Sequence, residues 1–186
     1  MQAIMEKRAA ELLTDGTVNR VLGWAAGEFP YDMTPAVFHS VKELEDGFVY
    51  NDFCGANLSK YLIKESKKEG KIAVFLKPCD TYSFNQLLAE HRIDRDKVYV
   101  IGIECYGKAD AEKLKDMGLT GITGIILKDG IYTVETVYGN RSVKAAAATA
   151  GRCLTCKSKK HVVYDELIGN DGEVEPDCGR FDEVKK

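Results

Sequence analysis

Two near-continuous apolar runs, Lys71-Ile-Ala-Val-Phe-Leu76 and Lys97-Val-Tyr-Val-Ile-Gly-Ile103, constrain the fold more than any other feature of the chain. A strand with one wet face alternates apolar and polar residues, whereas a strand covered on both faces reads as an unbroken apolar run. A helical pattern, Tyr82 to Glu90, separates the two runs, and another, Lys108 to Met117, follows the second. Strand, helix, strand, helix is the order of β-α-β units. The fold class expected is α/β: a mainly parallel central sheet flanked by helices, with a C-terminal cysteine-bearing extension.

The remaining elements are read from periodicity and turn chemistry. Ala3 to Leu13 carries an amphipathic helical pattern that stops near Gly16. Val18 to Ala25, Thr34 to His39 and Phe48 to Asn51 read as extended segments, and Val41 to Leu44 as a helical turn. Asn57 to Lys67 has a strong helical pattern. Ile122 to Leu127 and Ile131 to Val137 flank Lys128-Asp129-Gly130, and Asp-Gly between apolar runs is a hairpin signal. After Tyr138 the character changes: Ser142 to Ala150 is alanine-rich, Gly151 to Lys160 is rich in cysteine and lysine, and Val162 to Ile168 is a strand or a helical turn. The expected division is residues 1–140 as the α/β domain and 141–186 as the extension that completes a cluster site.

Charge and hydropathy exclude several classes. The net charge of the 186 residues is -3, which offers no broad positive field to nucleic acid or anionic lipid. No apolar run approaches the ~18 residues of a membrane span, and Met1 to Leu13 lacks the apolar core of a secretory signal. The expectation is a cytoplasmic protein. In a reducing compartment clustered cysteines bind metal or do redox chemistry more often than they form disulfides, and this chain has 6.

Their positions are informative. Cys79 follows the first apolar run by two residues beyond Lys77, in Lys77-Pro78-Cys79-Asp80, and Cys105 follows the second in Ile103-Glu104-Cys105. Cys54 follows the extended segment ending near Asn51. Cysteines at the carboxyl ends of parallel strands face the crevice where open α/β sheets bind ligands. Cys54 and Cys79 also open predicted helices, where backbone N–H groups and the helix dipole favour thiolate, the metal-ligating form. Cys153-Leu-Thr-Cys156 places two more sulfurs on one tight turn. With Cys79 and Cys105 it makes a set of four thiolates, suited to a [4Fe–4S] cluster or to structural zinc. Cys54 and Cys178 stand in reserve; a cysteine at a strand end is as readily a small buried apolar residue.

Several of these residues together carry a family resemblance. Phe75-Leu-Lys-Pro78-Cys79, Val100-Ile-Gly-Ile103-x-Cys105, Cys153-x-x-Cys156 and Asp165-x-x-x-Gly169 occur in that order. They are preceded by Val21-Leu-Gly-Trp24, Thr34-Pro-Ala-Val37 and Asn51-Asp52-x-Cys54-x-x-Asn57-Leu58-x-x-Tyr61-Leu62. The set, spanning Val18 to Gly169, resembles the beta subunits of deazaflavin-reducing hydrogenases and formate dehydrogenases, and more closely their iron–sulfur relatives associated with heterodisulfide-reductase-type complexes. The resemblance implies an electron-transfer subunit of an anaerobic oxidoreductase complex with one [4Fe–4S] cluster on Cys79, Cys105, Cys153 and Cys156. In flavin-bearing members it also implies FAD and a deazaflavin or nicotinamide coenzyme. The partners implied are other redox-complex subunits, a ferredoxin-type module or a flavoprotein. Close relatives continue into a ferredoxin-like module beyond the Arg180 to Val184 region; here the sequence stops at Lys186, as expected of a fragment or a split subunit. Cys54 stands where other members often have glycine.

Other residues give weaker signals. His39, His91 and His161 are scattered, and the surface is the expected place for His161. Tyr50, Phe53, Tyr82, Phe84 and Tyr106 flank the cysteine segments and read as core or shielding groups. Lys157, Lys159 and Lys160 form a basic patch beside Cys156, suited to an acidic partner or to an anionic cluster, and Lys77 beside Cys79 suits the second role. No P-loop or G-x-G-x-x-G is present.

Overall fold

The computed structural model describes residues 1–172. Strands β1 (Arg20–Ala26), β3 (Ile72–Leu76), β4 (Val98–Ile103) and β8 (Glu166–Ile168) run parallel, and β2 (Met33–Phe38) is antiparallel on the outer edge of β1. The order is β2-β1-β3-β4-β8. All five residues of β3 are buried, as its unbroken apolar run requires. Helices α1 (Gln2–Thr14), α2 (Val41–Gly47) and α4 (Pro78–Ala89) flank this sheet, with Met5, Ala9, Leu12, Leu44 and Phe84 in its core. Val98 to Ile103 and Ile72 to Leu76 pair in simple register, so the chain leaves both central strands at the same edge.

A second sheet, β5 (Ile122–Lys128), β6 (Ile131–Thr136) and β7 (Arg141–Lys144), is antiparallel. The Asp129-Gly130 turn has positive φ at both residues, as the sequence implies for a tight hairpin. With α5 (Ala111–Asp116) and the single turn α6 (Ala145–Ala148), it encloses a smaller core around Leu114, Ile125, Tyr132 and Val134.

Three local expectations are corrected. Phe48 to Asn51 is not a strand: Phe48 makes one isolated bridge to Ala25. Asn51 then turns the chain, its side-chain oxygen accepting from the Phe53 N–H at 2.8 Å and its carbonyl from the Cys54 N–H at 3.1 Å. Asn57 to Lys67 is not one helix either. The Asn57 side chain accepts from the N–H and hydroxyl of Ser59, and the chain forms only a 3-10 turn, Ser59–Tyr61, and the single turn α3 (Leu62–Glu65). The helix expected from Lys108 starts at Ala111, because Asp110 caps it by accepting from the N–H groups of Glu112 and Lys113. Lys108 and Ala109 are instead held in an extended segment: the Ala109 N–H donates to the Asp52 carbonyl and the Lys108 carbonyl accepts from the Ala150 N–H, each at 2.8 Å.

Asp165, just before β8, joins that short strand to the sheet. Its carboxylate accepts from the Val100 N–H at 2.6 Å while its own N–H donates to the Val100 carbonyl at 2.8 Å. Arg8 on α1 holds Glu166 in a two-pronged ion pair at 2.9 Å, and the Tyr99 hydroxyl donates to the same carboxylate. Among the described residues no helix is long and apolar enough to cross a membrane.

Candidate metal centre

Four cysteines from three separate segments line one pocket of about 170 Å³: Cys79, Cys105, Cys153 and Cys156. Cys79 is the second residue of α4, whose first is Pro78, a residue suited to a position where the N–H has no helical partner. Cys105 follows β4 by one intervening residue, Glu104. Because β3 and β4 are parallel neighbours, both cysteines arrive at the carboxyl edge. Cys153 lies in the single turn α7 (Gly151–Leu154), and the Cys156 N–H donates to the Cys153 carbonyl at 3.3 Å. Gly107, with φ +111°, carries the chain between Cys105 and Lys108 in a conformation that side-chain-bearing residues rarely adopt; a Cβ there would stand 3.3 Å from the Thr149 methyl.

The wall of the pocket is basic. Lys77, Lys108, Arg152 and Lys159 line it, and among the described residues no carboxylate does. Lys77 is 3% exposed. Its ammonium pairs with Asp80 at 2.8 Å, donates to the Ala56 carbonyl at 2.9 Å and lies 4.8 Å from the centre of the Trp24 ring. The Lys108 ammonium donates to the Tyr50 hydroxyl at 3.0 Å and the Asn51 carbonyl at 3.2 Å. Arg152 reaches the Gly55 carbonyl at 3.3 Å. Four cations around four sulfurs suit an anionic occupant.

The thiols do not behave as their helix-start positions suggest. The Cys79 thiol is pushed up to about 12, first by desolvation and then by the Asp80 carboxylate, with Lys77 opposing. Burial likewise raises the Cys54 thiol, against the Asn51 N–H that favours its thiolate. Cys54 also opens no helix. It is buried in the main core, its sulfur accepting from the Asn51 N–H at 3.3 Å, and it is not among the pocket-lining residues. Cys178 lies outside the described residues.

His161 is not a surface residue. Its side chain is 0% exposed and both ring nitrogens face oxygen: Nε2–H donates to the Leu76 carbonyl at 3.1 Å and Nδ1 lies 2.5 Å from Asp171. The bond to Leu76 returns the segment after Cys156 to the end of β3, three residues before Cys79. Gly102 on β4 makes room, since a Cβ there would stand 3.0 Å from the His161 ring and from Leu167. Of the aromatics singled out, Phe53 and Phe84 are core residues, whereas Tyr82 and Tyr106 are exposed.

The residues present, four cysteine sulfurs and four cations at one pocket, have the donor chemistry of a site for an anionic iron–sulfur cluster. Among the described residues no three His, Cys, Asp or Glu side chains form a ready-made site for a single metal ion.

No protein-family model matches the chain. The beta subunit of F420-dependent formate dehydrogenase 1 from Methanococcus maripaludis is 32% identical to it, over 91% of this chain and 47% of that protein. The corresponding beta subunit from Methanocaldococcus jannaschii is 34% identical over 52% of this chain and 25% of that protein. A chain of the F420-reducing [NiFe] hydrogenase complex from Methanosarcina barkeri shares the fold, with a TM-score of 0.67 over 83% of this chain and 59% of that one, at 16% identity. The matched region spans 47% and 25% of the two formate dehydrogenase subunits and 59% of the hydrogenase chain, so the likeness is to a portion of each. Over that portion the chain belongs to the beta-subunit family of F420-dependent formate dehydrogenases.

Proposed function

We propose that the chain is an electron-transfer unit of an F420-dependent hydrogenase- or formate-dehydrogenase-type complex, and that Cys79, Cys105, Cys153 and Cys156 bind one [4Fe–4S] cluster. The observation that carries this reading is the meeting of four cysteines, from β3–α4, β4 and the segment after α6, at one pocket walled by four cations. Bound there, the cluster would supply one-electron storage. The chain's own residues do the rest. The sheet edge fixes two sulfurs, α7 and the turn that follows it present the other pair, and the cations offset negative charge. Redox subunits of the same complex, a ferredoxin-type module or a flavoprotein, are the proposed electron partners, and the extension that begins at residue 141 supplies Cys153 and Cys156 to complete the site.

A flavin would need another surface, because about 170 Å³ is well below the roughly 300–1,000 Å³ of pockets that take cofactor-sized organic molecules. The test is anaerobic purification or reconstitution. A brown protein with broad absorbance near about 400 nm, bleached by dithionite, with about four irons and four sulfides per chain, is expected. Colourless protein holding one zinc would refute the cluster. Cys153→Ser should abolish the iron centre, and full iron retention would remove Cys153 from the ligand set.

A further inference from the structure

The two buried lysines at the pocket differ in how their charge is balanced. Lys77 is paired at 2.8 Å with Asp80, and both side chains are 3% exposed. A buried ion pair in contact presents a dipole rather than a net charge to its surroundings. Lys108 is almost as buried, at 4%, but its hydrogen bonds go to neutral groups, the Tyr50 hydroxyl and the Asn51 carbonyl. Among the described residues its ion-pair partner is Asp52, at 3.7 Å, and that side chain is 23% exposed, so water screens it in part. Lys108 also lies 4.3 Å from the centre of the Tyr50 ring. The Tyr50 hydroxyl is held neutral, its acidity suppressed first by burial and then by Cys105 and Cys54. It therefore adds no counter-charge.

The backbone fixes this arrangement. Lys108 stands between the Asp52 loop and the segment leading to α7, clamped through the bonds of Ala109 to Asp52 and of Ala150 to Lys108. The ammonium is thus an incompletely neutralised charge in a rigid wall of the cysteine pocket. The exposed Arg152 and the half-buried Lys159 are screened by solvent more strongly.

We infer that Lys108 sets the reduction potential of the centre in this pocket, and that Asp52 opposes it. The inference rests on the cluster reading proposed above. On reduction one electron enters, no bond forms or breaks, and the centre becomes more negative by one charge. A fixed positive charge in a water-poor wall stabilises that reduced state and raises the potential. The carboxylate of Asp52 works in the other direction. Lys77, already paired, contributes less net field and serves to hold the β3–α4 corner.

Redox titration of the iron-loaded protein, followed by the spectrum of the cluster, tests this. Lys108→Gln should lower the midpoint potential, with about a tenfold smaller reduced-to-oxidised ratio at a fixed applied potential, which is about 59 mV for a one-electron couple. Lys108→Arg should restore most of it. Asp52→Asn should move the potential upward, and it keeps the Asp52 backbone carbonyl that holds Ala109, so it remains informative if Lys108→Gln fails to fold. Lys68→Gln is the control, because Lys68 is exposed and paired with Glu65 before β3; it should change nothing. Iron-loaded variants whose potentials match the parent would overturn the role of Lys108 while leaving the cluster intact. Parent protein that takes up no iron and sulfide would overturn both.

Discussion

The Nε2–H of His161 donates to the carbonyl of Leu76 across 3.1 Å. Leu76 ends β3, whose continuation carries Cys79, and His161 follows the turn that carries Cys153 and Cys156. One buried hydrogen bond thus ties together two segments that supply three of the four pocket cysteines.

Replacing His161 by alanine would leave a buried carbonyl without its donor, free Asp171 and open a cavity beside β4. An unsatisfied buried acceptor alone costs about 1–3 kcal/mol. The expected loss for His161→Ala is roughly 2–4 kcal/mol in urea unfolding, with faster amide exchange at residues 157–162. A loss under about 0.5 kcal/mol, the scale of ordinary surface substitutions, would mean that His161 fastens nothing.

Gly102→Ala tests the same contact from the other side. The added Cβ would meet His161 Cδ2 and Leu167 Cδ1 at 3.0 Å each. Overpacking of this kind costs roughly 1–3 kcal/mol. In the double variant Gly102→Ala/His161→Ala the costs should be less than additive, since removing the imidazole relieves the clash. Strict additivity in a denaturation cycle would show that the two residues do not compete for space.

The parallel strands were legible because a strand covered on both faces has a distinctive composition, and β3 and β4 are such strands. Their adjacency at one edge then placed Cys79 and Cys105 together. Less legible were contacts made by single side chains over long sequence distances. His161 lies 85 residues from Leu76, and no local periodicity marks such a bond; the only hint was Gly102, a gap in an otherwise bulky apolar strand. Lys108 was obscured by the helical pattern after it, because the Asp110 cap starts that helix later than apolar spacing suggests. Cys54 was misplaced because Phe48 to Asn51 has strand-like composition but turns at Asn51, whose side chain bonds its own backbone neighbourhood.

The Lys77–Asp80 pair should be costly to break and cheap to remove. Removing one member of a buried pair strands the other charge, at about 3–5 kcal/mol. Lys77→Met is therefore expected to destabilise the protein by that amount, and Lys77→Met/Asp80→Asn to recover at least half of the loss. The remainder reflects the lost bond to the Ala56 carbonyl. A double variant no more stable than Lys77→Met would show that Lys77 acts through packing over Trp24 and that bond, not through its partner.

The Cys79 thiol gives a reactivity test in metal-free protein. Desolvation and the Asp80 carboxylate push it up to about 12 from the ordinary value of 9.0. Since the thiolate is the nucleophile, alkylation at about pH 8 should be slower than that of a small-molecule thiol by a large factor, up to roughly a thousandfold. The rate, read by mass spectrometry at the Cys79 peptide, should keep rising with pH beyond about pH 10. A plateau by about pH 9 would contradict the raised value. The sign for stability follows from the same shift. The folded thiol keeps its proton at higher pH than the unfolded one, so this contribution is intact below about pH 9 and is lost as the pH rises towards 12. Asp80→Asn removes the second cause of the shift and should speed labelling at any fixed pH. Metal binding removes the proton altogether; if Cys79 ligates the proposed cluster, iron-loaded protein should resist alkylation there across the whole range, by ligation and not by protonation.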